Sequence, residues 1–123
     1  ERMLVGLFIA QQPMGSELNT SPRPGLEYNR HIHCYAVGVK PLKEVQLIRC
    51  GKIFKTFEPQ AISFEITLDD AEPLGDIVFA ESKDKPAFAY YYLKAVQEDG
   101  HTAWSSPIWI DFTTNKMAKN RKK

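Results

Sequence analysis

The sequence predicts an all-β fold, an antiparallel β-sandwich of about seven to eight strands. Three observations lead there. Short apolar runs recur at roughly ten-residue spacing between clusters of Gly, Pro, Asn and Asp. No stretch of helical length carries an apolar stripe with a 3.6-residue period. Two of the gaps, at Gly51 and Gly100, have the composition of tight hairpin turns.

The elements follow in order. Met3–Ala10 alternates as an edge strand does; at eight residues it is too short to span a bilayer, and no small-residue cleavage site follows it. Membrane insertion and a leader peptide are therefore not expected from it. The chain starts at Glu1 without an initiator methionine, the appearance of a domain taken from a longer protein. Gln11–Leu26, with Pro13, Gly15, Pro22, Pro24 and Gly25, reads as an irregular crossover. Strands are expected at Glu27–Val39, Glu44–Arg49, Lys52–Phe57, Ile62–Leu68, Asp76–Ala80, Phe88–Glu98 and Ala103–Phe112. The turn at Arg49–Lys52 requires positive φ at Cys50 and Gly51, and Cys50 is an unusual residue where Asn or Asp would be easier. Glu98–His101 makes the same kind of turn with better residues.

Parity divides the strand Phe88–Glu98 into two faces. Tyr91, Leu93 and Ala95 suit the interior, with the Tyr91 hydroxyl reaching backbone at one end. Phe88, Tyr90, Tyr92, Lys94 and Val96 form the wetter face. The final strand is harder to divide. In strict alternation Trp104 falls with Ile108 and Ile110, and Trp109 with Ser105 and Asp111. Pro107 cannot donate to a ladder, so a bulge near Ser105–Pro107 would break that count. One indole is expected in the core and the other over an end or against an adjoining domain; an exposed platform for a sugar or peptide is the alternative.

A length of 123 residues suits one domain, assigned to 1–115. Residues 116–123 hold five basic and no acidic side chains, the composition of a flexible, solvated tail. Removing them leaves eleven basic against fifteen acidic residues, a balance that argues against nucleic-acid binding. The two cysteines, Cys34 in a strand and Cys50 in a turn, read as free thiols.

Little of the remainder looks catalytic. His31 and His33 are two apart on one strand face and could share a metal, but a zinc site needs about three or four ligands and only His101 remains elsewhere. They read instead as a polar outer face with Tyr35, opposite Ile32, Cys34 and Ala36. Asp69, Asp70 and Glu72 lie near Pro73 and Gly75 and read as a wet loop. No nucleophile elbow, phosphate loop, Cys-x-x-Cys pair or His-Glu-x-x-His helix occurs. Neither a cofactor, a metal nor a catalytic residue is expected.

The stretch YLKAVQEDGHTAWSSPIWI, residues 92–110, resembles the last two strands of fibronectin type III and related immunoglobulin-like domains. With QQPMGSEL (Gln11–Leu18), VQLIRCGKIF (Val45–Phe54) and the preceding tyrosines, it also resembles a narrower group. These are the C-terminal β-sandwich regions of large proteins with an upstream metal phosphoesterase domain of the polymerase-and-histidinol-phosphatase kind. Cys50 departs from that group's usual Arg, Asn or Asp, Gly turn. The resemblance implies an accessory domain whose partner is the upstream domain of the same polypeptide, in an extracytoplasmic location, and it brings no metal ligand to this chain. The expected function is non-catalytic packing between domains through Tyr90, Tyr92 and one of Trp104 or Trp109. A carbohydrate- or peptide-binding module using the same aromatics is the alternative, and a small hydrolase built on His31 and His33 a third.

Overall fold

The longest run of alternating burial, Arg30–Arg49, forms one strand of 20 residues where the sequence predicted two. The computed structural model describes residues 2–113, so the tail assigned to 116–123 lies outside the described residues. Within that range the fold is all-β, as predicted. Its strands are β1 (Leu4–Ile9), β2 (Gln12–Pro13), β3 (Glu17–Asn19), β4 (Arg30–Arg49), β5 (Lys52–Phe57), β6 (Ala61–Asp70), β7 (Ala87–Gln97), β8 (Thr102–Trp104) and β9 (Ile108–Phe112). They form one sheet that curls into a half-barrel.

β4 is the strand that makes the curl possible. Its first half lies between β1 and β6, with Ile32 opposite Ile9 and Leu68; its second half lies between β5 and β7, with Val45 opposite Phe57 and Ala95. The ladder breaks between Val37 and Leu42 as β4 changes neighbours. There the side chain of Gln97, fully buried, takes over: its Oε1 accepts the Val39 and Lys40 N–H groups at 2.8 and 3.2 Å. Gly38 allows this approach, since a Cβ would sit 2.7 Å from Gln97 Oε1 and from the Lys40 carbonyl. A residue pair that reads as a breaker, Gly38 and Pro41, thus bends a strand without ending it.

The predicted crossover is partly ordered. Ala10 and Gln11 turn at φ 51° and 67° into β2, and Pro24–Glu27 makes a short 3-10 turn. β3 pairs with β9 in parallel, Leu18 opposite Ile110, so the sheet is mixed where a wholly antiparallel one was expected. Thr20 secures that junction by donating to the Thr113 carbonyl at 2.9 Å and accepting the Thr113 N–H. The predicted strand Asp76–Ala80 is instead a 3-10 turn, Leu74–Asp76, and a single bridge between Phe79 and Phe88. Leu74, wholly buried, anchors the turn, whose carbonyl takes the Ile77 and Val78 N–H groups away from any ladder.

The core lies in the hollow of the curl. Leu7 and Ile9, Ile32 and Cys34, Leu93 and Ile108 all reach it with no exposed surface. Each such leucine or isoleucine contributes about 1.5–3 kcal/mol by leaving water. Burial pushes the Cys34 thiol up to about 11, so at neutral pH it behaves as a small apolar side chain. Cys34 and Cys50 are both free. The turn at Cys50 and Gly51 has the expected positive φ at both, 52° and 81°.

Candidate functional site: an outer aromatic face

Alternation along β7 sends Ala89, Tyr91, Leu93 and Ala95 inward, all fully buried, and leaves Phe88, Tyr90, Tyr92, Lys94 and Val96 half-buried on the outside. This is the predicted division. The tryptophans depart from expectation, because neither enters the core: Trp104 is 60% exposed and Trp109 37%. The registers explain it. Trp104 faces Lys94 and Trp109 faces Tyr90, both outer-face residues. Four steps on β7 therefore match five between the indoles, and the extra residue is a bulge at Ser105–Pro107. Inside, the facing positions hold Ala89, Tyr91 and Ala95 with Ile108 and Ile110, all buried in the core.

Ser105 makes the bulge tolerable. Its N–H donates to the Leu93 carbonyl at 2.8 Å, and its hydroxyl oxygen accepts the Leu93 N–H at 2.8 Å, standing in for a strand carbonyl. Pro107, which has no N–H to offer, instead accepts the Gly15 N–H at 2.8 Å.

The outer rings touch one another. Trp109 lies 5.1 Å from Tyr90 and 5.5 Å from Phe88 between centroids. Tyr90 and Tyr92 are near-parallel, 4° apart in plane and 6.3 Å apart in space. Phe79, brought in by its bridge to Phe88, adds a ring at 4.5 Å. Sequence reasoning missed Phe79; its signal was an aromatic residue in Asp76–Ala80, a segment read as an ordinary strand. Opposite Tyr92, Ile48 is 7% exposed although it lies outside the core, so the face has an apolar floor of its own. Trp104 stands farther along, across from Lys94.

At the far end the rings of Phe88 and Trp109, with Pro86, line an open groove of about 330 Å³, rimmed by Glu17, Glu81, Lys85 and Asp111. β3 places Glu17 opposite Trp109, beside Asp111. Partial burial, and then the Glu17 charge, hold the Asp111 carboxyl above its ordinary value.

The remaining candidates are tied to neighbours. His31 and His33 face outward as expected, and each meets a carboxylate on β6: His31 Nδ1 lies 2.9 Å from Asp69 Oδ1, and His33 Nε2 contacts Glu65. The hydrogen bond from His31, then one from Asn29, holds Asp69 below the usual carboxylate range. Among the described residues no three His, Cys, Asp or Glu side chains gather as a metal-holding group.

Asp70 corrects the reading of residues 69–72 as a wet loop. It ends β6 at 2% exposure, directly opposite Arg30, which is wholly buried at the start of β4. Asp70 Oδ2 accepts from Tyr91 Oη at 2.6 Å and from Arg49 Nη1 at 2.9 Å, with Arg30 Nη2 at 3.3 Å. Arg30 also donates from Nε to Tyr91 Oη at 3.2 Å and from Nη1 to the Leu26 carbonyl at 3.0 Å. The Tyr91 hydroxyl thus serves a carboxylate and a guanidinium, where backbone was expected. Burial would raise the Asp70 carboxyl, but the Tyr91, Arg49 and backbone Glu72 hydrogen bonds with the Arg30 charge outweigh it and leave it lowered. Burial foremost, then the bond to Asp70, pushes the Tyr91 hydroxyl up. The signal was present in the sequence: Arg30 shares parity with Ile32 and Cys34.

Comparison with known proteins adds context. No known family model matches the chain. Over 111 residues, 90% of the chain, it is 44% identical to an uncharacterised protein of Chlamydia muridarum and 42% identical to one of Chlamydia trachomatis. Over 110 residues it is 41% identical to an uncharacterised protein of Chlamydia pneumoniae. The match covers 18% of each relative, so the chain spans less than a fifth of the length of the curated relatives it resembles.

Proposed function

We propose that this chain is a non-catalytic accessory domain that packs against a neighbouring part of a longer polypeptide through the outer face of β7 and β9. The observation that carries this reading is the continuous cluster of Phe79, Phe88, Tyr90, Tyr92 and Trp109 on a face that alternation leaves toward water. Tyrosine and tryptophan give large, rigid contact area with a polar tip, and they dominate the centres of interfaces. The much greater length of the relatives supports the presence of something for the face to meet. An immunoglobulin- or fibronectin type III-like sandwich rests on the resemblance of the quoted C-terminal strands, while the strands themselves form one curled sheet. A metal phosphoesterase as the neighbour, and an extracytoplasmic location, rest on the resemblance of the quoted motifs alone.

The test is association between this chain and the remainder of the longer polypeptide, made separately and followed by calorimetry. Replacing Tyr92 and Trp109 together by Ser is expected to weaken binding by at least about thirtyfold, the effect of truncating one strong anchor. Unchanged affinity would remove the face from the interface. A carbohydrate-binding role is the second reading, favoured by the near-parallel Tyr90 and Tyr92 rings on the outer face. It requires the isolated chain to bind a glycan, whereas the packing reading requires the neighbour.

A further inference from the structure

We propose that the open edge of β6 is a strand-addition site and that its occupant is β6 of a second copy of this chain, paired antiparallel. Among the described residues β6 pairs with β4 alone. The His31 carbonyl accepts the Ala10 N–H on the β1 side of β4. Alternation therefore turns the N–H and C=O groups of its cross-strand partner Asp69, and with them those of Thr67, Glu65 and Ser63, away from β4 and onto the open edge. Such an edge is a template for another strand unless something deters it, and the usual deterrents are missing from β6. Ala61–Asp70 contains no Lys, Arg or Pro, and its ladder with β4 runs without a bulge from Asp70 to Ser63. Its carboxylates are engaged within the chain, Glu65 by His33, Asp69 by His31, and Asp70 by Arg30 and Arg49. Other edge strands differ: β2, β3 and β8 have two or three residues, and β5 carries Lys52 and Lys55.

The occupant follows from the strand's own pattern. On its inner row Ile62 is 50% exposed and Phe64, Ile66 and Leu68 are half-buried, so an added strand has apolar surface to cover. A two-fold axis at Ile66 sets Ile66 of one copy against Ile66 of the other, Phe64 against Leu68, Glu65 against Thr67 and Ser63 against Asp69. In that register apolar side chains meet apolar ones, no like charges are opposed, and the open backbone groups fall in hydrogen-bonded pairs. Moving the axis to Glu65 opposes the two Glu65 carboxylates, and moving it to Thr67 opposes Glu65 to Asp69. Moving it farther shortens the paired length. The strand is thus complementary to itself in one register. None of these residues belongs to the outer aromatic face, so this inference and the packing role proposed above fail separately.

Sedimentation equilibrium of this chain tests the pairing. An edge contact of this length is smaller than a standard interface of about 1,600 Å², so a monomer–dimer equilibrium with a Kd on the order of 100 μM is expected, and concentrations from about 10 μM to about 1 mM cover it. Thr67→Glu places a carboxylate across from Glu65 at both symmetric positions and is expected to weaken the dimer about tenfold, whereas Thr67→Lys places an ammonium group there and is expected to tighten it about fivefold. Thr67 is exposed and its backbone groups point away from β4, so both variants should keep the sheet, which circular dichroism checks. A chain that stays monomeric at the highest concentration would overturn the proposal. If such a monomer bound the remainder of the longer polypeptide and Thr67→Glu weakened that binding, the edge would belong to a neighbouring segment. A dimer that responds alike to both variants would also overturn it. So would one lost on replacing Tyr92 and Trp109 by Ser, which would assign self-association to the aromatic face.

Discussion

The Asp70 end of the sheet and its outer aromatic face invert the usual placement of side chains in opposite senses. At the first, a guanidinium and a carboxylate are drawn inside with a second, half-buried guanidinium beside them; at the second, a run of large rings is left outside. The inside charges meet residues of this chain: Arg30 donates to Leu26 and Tyr91, its Nη2 lying 3.3 Å from Asp70 as an ion pair without a hydrogen bond, and Arg49 bridges Asp70 and Glu72 while lying 4.3 Å over the Phe54 ring. The outer rings contact each other and keep one side toward solvent. The difference teaches where to look for stability and where for recognition: a buried polar network is costly unless complete, whereas an aromatic face costs little until a partner covers it.

The comparison is broken most severely at Asp70. Asp70→Asn leaves Arg30 buried without its counter-charge and is expected to cost about 3–5 kcal/mol in denaturant-unfolding experiments. A loss under about 1 kcal/mol, the range of exposed ion pairs, would show that the network behaves as a surface one. The same group sets a pH signature. Because the folded carboxyl lies below its unfolded value, its contribution is fully present above roughly pH 4 and is lost as pH falls through the folded value. Unfolding profiles should therefore fall less steeply on the acid side in Asp70→Asn than in the parent. Some slope will remain from the lowered carboxyls of Asp69 and Asp99, both exposed to solvent.

Next in size is the bulge that joins the two regions. Ser105→Ala removes the oxygen that accepts the buried Leu93 N–H, and a loss of about 1–3 kcal/mol is expected. Amide exchange at Leu93 should accelerate with it; an unaltered exchange rate would mean that another acceptor replaces the hydroxyl. Smallest is the effect of Trp104→Ser, expected to change stability by no more than about 0.5 kcal/mol because the indole is mostly in solvent. A much larger loss would make Trp104 part of the framework and blur the contrast.

How far the sequence revealed this depends on the range of the interaction concerned. Two-residue periodicity was enough to put Tyr91, Leu93 and Ala95 inside, because each position needs only its neighbours' parity. Turn chemistry was enough to place positive φ at Cys50 and Gly51. The continuity of β4 was hidden because Gly38 and Pro41 are local breakers, and what carries the strand past them is Gln97, more than fifty residues away. The position of Trp104 turned on one inserted residue at Ser105–Pro107, which alternation alone cannot count. Asp70 read as loop because its partners Arg30, Arg49 and Tyr91 come from two other strands. Phe79 joined the outer face through one bridge outside any regular strand.

The uninterrupted β4 has a mechanical consequence. In most two-layered sheets a loop separates the strands that cross between layers, and the layers can part by yielding there. Here the crossing is the backbone of one strand that also holds β1, β5, β6 and β7. Separating the two halves of the half-barrel therefore requires β4 itself to give up its pairing on one side, since no loop lies between them to yield. The bend at Gly38–Pro41, held by Gln97, is where that spine departs from regular pairing.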